Sequence, residues 1–173
     1  QLNGPDVDRM TQIKSRLAIL GTNFMQNLLA DEREWFLPLA KTDLSGLPDF
    51  AIAAARAAGL EKGVDGPVVT LSRSLIVPFL QFSDRRDLRE VAYKAWAARG
   101  ANGGQTDNLC VVRETLSLRQ ERVQLLGYDS FAEFKLEIEM AKTPDRVRDL
   151  LMQVWAPAKA QADADAEVFA QMM

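Results

Sequence analysis

Apolar side chains recur in this sequence at steps of three and four over stretches long enough for helices, and glycine and proline cut those stretches apart. Met10, Ile13, Leu17, Leu20, Phe24 and Leu28 lay one apolar stripe along a helix expected over Val7 to Leu28. Such a stripe requires a partner, because one helix hides little apolar surface by itself. Gly21 interrupts it, either as a point of close backbone approach or as tolerated slack costing about 1 kcal/mol relative to alanine. Trp35 to Leu39 and Pro67 to Leu71 are short aromatic and β-branched runs instead, suited to two paired strands with Pro38 at an edge.

The rest reads as further helices. Leu47-Pro48-Asp49 opens an alanine-rich helix expected to stop at Gly59. Ser83 or Asp84 is expected to cap a helix through Leu88, Val91, Ala92, Ala95 and Trp96, broken by the glycine-rich segment Gly100 to Asn108. From Asp107 to Leu126 the stripe is Leu109, Val112, Leu116, Val123 and Leu126, with Arg119 on the same face and Gly127 at its end. Arg119 must either snorkel to the edge of that face or meet a carboxylate. A shorter helix spans Ser130 to Met140. Thr143-Pro144 then supplies a cap and first residue for a last helix carrying Val147, Leu150, Leu151, Val154, Trp155 and Phe169, with a kink expected at Pro157. The fold class is therefore mainly α, with one possible two-stranded element at 35–39 and 67–71. At 173 residues a chain can bury about 70% of its unfolded surface, so a single helical domain over 1–173 is the expectation.

Chemistry is conspicuous by what the side chains exclude. The chain has no histidine, which removes the Ser/His/Asp triad, the Cys/His pair and every histidine-ligated metal. A net charge of −3, from 21 basic and 24 acidic residues, offers no footprint for nucleic acid or an anionic membrane surface. No apolar stretch approaches the roughly 20 residues a bilayer requires, so no membrane partner is expected. One cysteine, Cys110, cannot form an internal disulfide, which favours a reducing compartment and a cytoplasmic location. Gly100, Gly103 and Gly104 match neither GxGxxG nor GxxxxGK[ST] and read as an interhelical turn. Asp163, Asp165 and Glu167 alternate, so on a helix they diverge rather than converge on a cation. Glu133 and Glu137 share a face, and Glu137 with Glu139 could form an acid/base pair, though paired surface carboxylates are the commoner outcome. No catalytic or metal-ligating residue is assigned.

Three stretches carry a resemblance that periodicity cannot supply. They are SRLAILGTNFMQNLLAD (15–31) with DLSGLPDF (43–50), VVTLSRSLIVPFLQFSDRRDLREVAYKAW (68–96), and LSLRQERVQLLGYDSFAEFKLEIEMAKTPDRVRDLLMQVW (116–155). In that order they resemble the amino-terminal half of the thimet oligopeptidase family of zinc metallopeptidases, most of all its bacterial peptidyl-dipeptidase branch. The third stretch contains the LR-x-E, LLGY and MAKTP signatures, and so points to Arg119, Glu121, Gly127, Tyr128, Met140 and Pro144 as signature residues of structural type. Within it Arg119 is expected to pair with Glu137 or Glu139, while Tyr128 could pack with a satisfied hydroxyl or face a substrate channel.

The resemblance implies a helical, neurolysin-like enzyme of two halves around a channel, in which zinc on an HExxH helix hydrolyses short peptides. That motif places two histidines on one helix face with a glutamate to activate the bound water. No HExxH occurs here, so the ligands are expected on a missing carboxy-terminal half and no zinc is expected on this chain. Gln1 and the unfinished pattern at Phe169 to Met173 agree with a portion of a longer polypeptide, inactive by itself. The competing expectation is a non-enzymatic helical interaction module that shares ancestry with that half, and a third is a standalone carboxylate enzyme using Glu133 and Glu137.

Overall fold

The structure is a computed structural model that describes residues 3–172. In chain order its elements are α1 (Gly4–Glu34), β1 (Phe36–Pro38), a short 3-10 turn at Lys41–Leu44, α2 (Asp49–Lys62), β2 (Val68–Thr70), α3 (Arg73–Phe82), α4 (Arg86–Ala97), α5 (Leu109–Leu125), α6 (Phe131–Leu136) and α7 (Pro144–Met172). The mainly helical class with one small sheet is what the periodicity predicts. The chain divides into two compact units, one of residues 15–115 and one of residues 1–14 with 116–173.

In the 15–115 unit, β1 and β2 pair antiparallel with Phe36 opposite Thr70, Leu37 opposite Val69 and Pro38 opposite Val68. Alternation along β2 sends its neighbours to opposite faces. Val69 joins Leu39, Leu71, Ile76, Phe79 and Ala92 in one cluster, and Val68 joins Ala55, Ala58 and Leu75 in another. Both faces of this small sheet are thus covered, which is why all three residues of β2 are buried.

Two local expectations are corrected, and one helix appears that the sequence pattern does not announce. The helix opened at Pro48 does not stop at Gly59; it continues to Lys62 and ends on Gly63, whose φ of 66° and two amide bonds to the last-turn carbonyls make the cap. Gly59 is needed for closeness instead, since a Cβ there would collide with the carbonyl oxygen of Gly66. Residues 73–82 form α3 despite Pro78, because burial of Leu75, Ile76 and Phe79 outweighs the hydrogen bond that proline deletes. Neither Ser83 nor Asp84 caps α4. Arg85 takes that position, the Ser83 hydroxyl accepts the Arg85 amide at 3.2 Å, and Asp84 accepts the Ser45 hydroxyl at 2.5 Å.

The α1 stripe is buried as its spacing predicts at Met10, Ile13 and Leu20. A Cβ at Gly21 would meet nothing, so slack rather than close approach explains that glycine. The α5 stripe fares differently: Val123 is buried, while Leu109, Val112, Leu116 and Leu126 are exposed. Val111, Thr115, Leu118, Arg122 and Leu125 are among the partly covered positions, so α5 turns a neighbouring face inward.

Candidate functional site

The signature segment from Leu116 to Trp155 lies wholly in the unit of residues 1–14 and 116–173. Its backbone is organised by two linked caps. α5 closes in a Schellman arrangement, with the Tyr128 amide donating to the Val123 carbonyl and the Gly127 amide to that of Gln124, each at 3.0 Å. Gly127 stands at φ 86°, which a side chain would oppose. Three residues on, Ser130 and Glu133 form a reciprocal capping box for α6: the Ser130 hydroxyl accepts the Glu133 amide at 3.1 Å, and the Glu133 carboxylate accepts the Ser130 amide at 3.2 Å.

The side chains interleave arginines and aromatics. Arg119 lies 5.3 Å over the Phe131 ring and Arg122 lies 5.4 Å over that of Phe134. Tyr128 meets Phe134 edge-on at 5.3 Å. Each pair of residues is three apart on its own helix, so α5 presents two guanidiniums where α6 presents two rings. Arg119 therefore does not pair with either carboxylate the sequence suggests. It is exposed, as a snorkelling arginine would be, while Glu137 accepts the Tyr128 hydroxyl and Glu139 lies 3.6 Å from Lys135. The bond to Glu137 raises the Tyr128 pKa, because ionising the phenol would lose that bond and set two anions together.

Glu121 pairs with Arg9 through two bonds of 2.5 and 2.8 Å. The Arg9 guanidinium holds the Glu121 carboxyl below the ordinary range. Met140 is 96% exposed. After it Lys142 adopts a φ of 65°, the Thr143 hydroxyl accepts the Arg146 amide at 3.4 Å, and Pro144 is the first residue of α7. The signature residues thus turn the chain through α5, α6 and α7.

Chemical candidates from the sequence are dispersed or engaged. Glu133 is committed to its capping box and Glu137 to Tyr128, so the two do not form a free carboxylate pair. Asp163 accepts from Lys159 at 2.6 Å and Asp165 from Gln161 at 2.8 Å, as on a solvated face. Cys110 is exposed. Among the described residues, no group of three His, Cys, Asp or Glu side chains could hold a metal ion, and no helix is long and apolar enough to cross a membrane.

The other unit holds a polar centre that lies outside the sequence expectations. Asp31 is 8% exposed, and its carboxylate accepts the Gly100 amide at 2.7 Å, the Asn102 amide group at 2.6 Å and the Thr106 hydroxyl. Asn108 donates to the Phe24 carbonyl at 3.1 Å and accepts from Asn27 at 2.9 Å. The glycine-rich turn is thus wrapped around one buried acid. Its signal is present in the spacing, since Asp31 continues the stripe Leu20, Phe24, Leu28 by one further step of three.

The sequence pattern of Peptidase family M3 matches residues 79–173, from the middle of α3 through α7. The chain belongs to that family. Similarity to individual members extends further toward the amino end. Oligopeptidase A of Escherichia coli is 34% identical over 162 residues, covering 91% of this chain and 24% of the relative. Organellar oligopeptidase A of Arabidopsis thaliana is 30% identical, over 92% of this chain and 21% of its own. The dipeptidyl carboxypeptidase of E. coli is 26% identical, over 92% of this chain and 24% of its own. The chain therefore spans about a quarter of the length of these M3 relatives, and all six signature residues lie inside the family match.

Proposed function

We propose that this chain is the amino-terminal, channel-wall part of a zinc-dependent peptidyl-dipeptidase or oligopeptidase that hydrolyses short peptides. The observation that carries the proposal is the family match joined to its extent: similarity runs along 91% of the chain yet occupies 24% of E. coli oligopeptidase A. The proposal makes the two compact units parts of one helical portion of a longer peptidase. It is supported by α7, whose Leu150, Leu151, Val154, Trp155 and Phe169 are all exposed. A contiguous uncovered apolar face marks a surface that other polypeptide covers, and the carboxy-terminal catalytic part is the partner proposed for it.

Zinc does not fit the donors of this chain. There is no histidine, the one cysteine stands alone, and no cluster of three ligating side chains exists among the described residues. No catalytic step is assigned to any residue here. The proposed tasks of this portion are to line the channel and to hold the metal-bearing part in place. A cytoplasmic location is proposed on the single cysteine.

The reading frame beyond Met173 provides the test. An HExxH motif within the next few hundred residues is the expected outcome, and the complete protein should then bind zinc stoichiometrically and cleave short peptides while residues 1–173 alone do neither. A stop codon, a frame without HExxH, or turnover by the isolated chain would overturn the proposal. The first two outcomes would favour a helical interaction module using the same open face of α7.

A further inference from the structure

At the carboxy end of α1 two acids are each set with an indole from outside the helix, Glu32 with Trp96 of α4 and Glu34 with the adjoining Trp35, the first pairing filled by a cation and the second empty. In the filled pairing, the Arg99 guanidinium donates to Glu32 at 2.5 Å and lies 5.4 Å over the Trp96 ring. Two residues farther on, Glu34 stands beside Trp35, and both line a cavity of about 510 Å³ that opens to solvent. Leu71, Ala95 and Ala98 form its apolar wall and Gln105 part of its polar rim. Among the described residues no cation pairs with Glu34.

The electrostatics of the cavity have one sign. Glu34 is the last residue of α1, where the carbonyl ends of the helix add partial negative charge. Asp31 also lines the cavity, and although its oxygens are occupied by three donors, none of those donors is a cation. An anion is disfavoured there, and a purely apolar ligand would leave Glu34 to be desolvated without a partner. A ligand with an apolar stem and a cationic head satisfies both parts. A guanidinium suits it better than an ammonium, because it is planar, weakly hydrated, able to stack on indole and able to bind a carboxylate through two bonds.

We propose that this cavity binds an arginine-type side chain, its guanidinium on Glu34 and its stem between Trp35 and the Leu71, Ala95 and Ala98 wall. The proposal takes the combination that the chain itself satisfies internally with Arg99 and offers it to an external ligand. That the arginine belongs to a peptide rests on the peptidase proposal; the binding chemistry does not.

The test titrates N-acetyl-arginine amide into the isotope-labelled 173-residue chain by NMR, following the Trp35 indole N–H, which is assigned with Trp35→Phe. A saturable shift is expected, with a dissociation constant on the order of 1 to 10 mM for one exposed ion pair plus stacking. The neutral isostere N-acetyl-citrulline amide should bind at least about fivefold more weakly. Glu34→Gln, at an exposed position that leaves the remaining spectrum in place, should abolish the difference between the two probes. Equal affinity for the two probes, an unchanged constant in Glu34→Gln, or no saturable shift at Trp35 would each overturn the proposal. All arms use this chain without metal, so their failure leaves the peptidase assignment standing, and a missing HExxH leaves the cavity result standing.

Discussion

The two longest helices, α1 with 31 residues and α7 with 29, carry apolar stripes of the same period and meet different fates. α1 buries Met10, Ile13 and Leu20, whereas α7 buries no residue along its length. Trp155 is left 58% exposed. Periodicity identifies a helix and the face it would bury, but the existence of something to bury it against is a property of the rest of the polypeptide. Isolated helices draw little stability from propensity alone. The proposed catalytic part would give the α7 face such a partner.

The largest test of that difference is a pair of truncations. Phe79→Ala removes a fully buried ring from the cluster around β2 and should cost about 3 to 5 kcal/mol in urea unfolding. Trp155→Ala on α7 should change the stability of this chain by less than about 0.5 kcal/mol. In a complete peptidase the second substitution should become costly, because the indole would then be covered. If it costs as little there, no catalytic part rests on that face of α7.

A smaller effect separates buried polar order from apolar order. Asp31→Ala leaves the Gly100 amide, the Asn102 amide group and the Thr106 hydroxyl without their acceptor, and should cost about 2 to 3 kcal/mol by denaturation. Faster hydrogen exchange should follow at the Gly100 amide, whose acceptor is lost. Unchanged exchange there would mean that the turn holds its shape without the acid.

Much of this architecture is legible in the sequence. The α1 stripe, the Gly127 stop and the Thr143-Pro144 start follow from residues close in sequence, and the two short strands show in their aromatic and β-branched runs although their pairing is long-range. The helix through Pro78 was not legible: tertiary burial of Leu75, Ile76 and Phe79 outweighs a local cost, and the sequence carries only the cost on its face. Gly59 is illegible for a related reason, since its smallness serves the Gly66 carbonyl rather than a helix end. The partners of Arg119 depended on rotation about α5. With the helix turned off the expected stripe, the arginine reaches the Phe131 ring instead of the acids.

Gly127→Ala tests the turn that joins α5 to α6. A φ of 86° places a Cβ against the following carbonyl, so a loss of about 1 to 2 kcal/mol is expected, read from the urea midpoint. Gly21→Ala on α1 should instead stabilise by a few tenths up to about 1 kcal/mol, because its Cβ meets nothing and alanine is the better helix former. Equal responses at the two positions would mean that the left-handed backbone at Gly127 is not held.

The smallest effect concerns two ion pairs of the same design, one in each unit. Arg9 and Glu121 meet at 2.5 Å in one, and Arg16 and Glu114 at 2.6 Å in the other. In both, the arginine hydrogen bond is the main cause that lowers the glutamate pKa. A depressed folded pKa gives stability that is complete above the unfolded value, near about 4.3, and is lost as the pH falls through the folded value. Glu121→Gln should therefore lower the urea midpoint slightly at about pH 6 and not at all once the pH is low enough to protonate the wild-type carboxyl, and added salt should narrow the gap. Glu114→Gln should behave alike, since both pairs are about equally exposed. A gap that survives acid at either position would show that the glutamine disturbs packing rather than charge. The two substitutions together therefore separate what the ion pairs contribute from what the helices contribute in each unit.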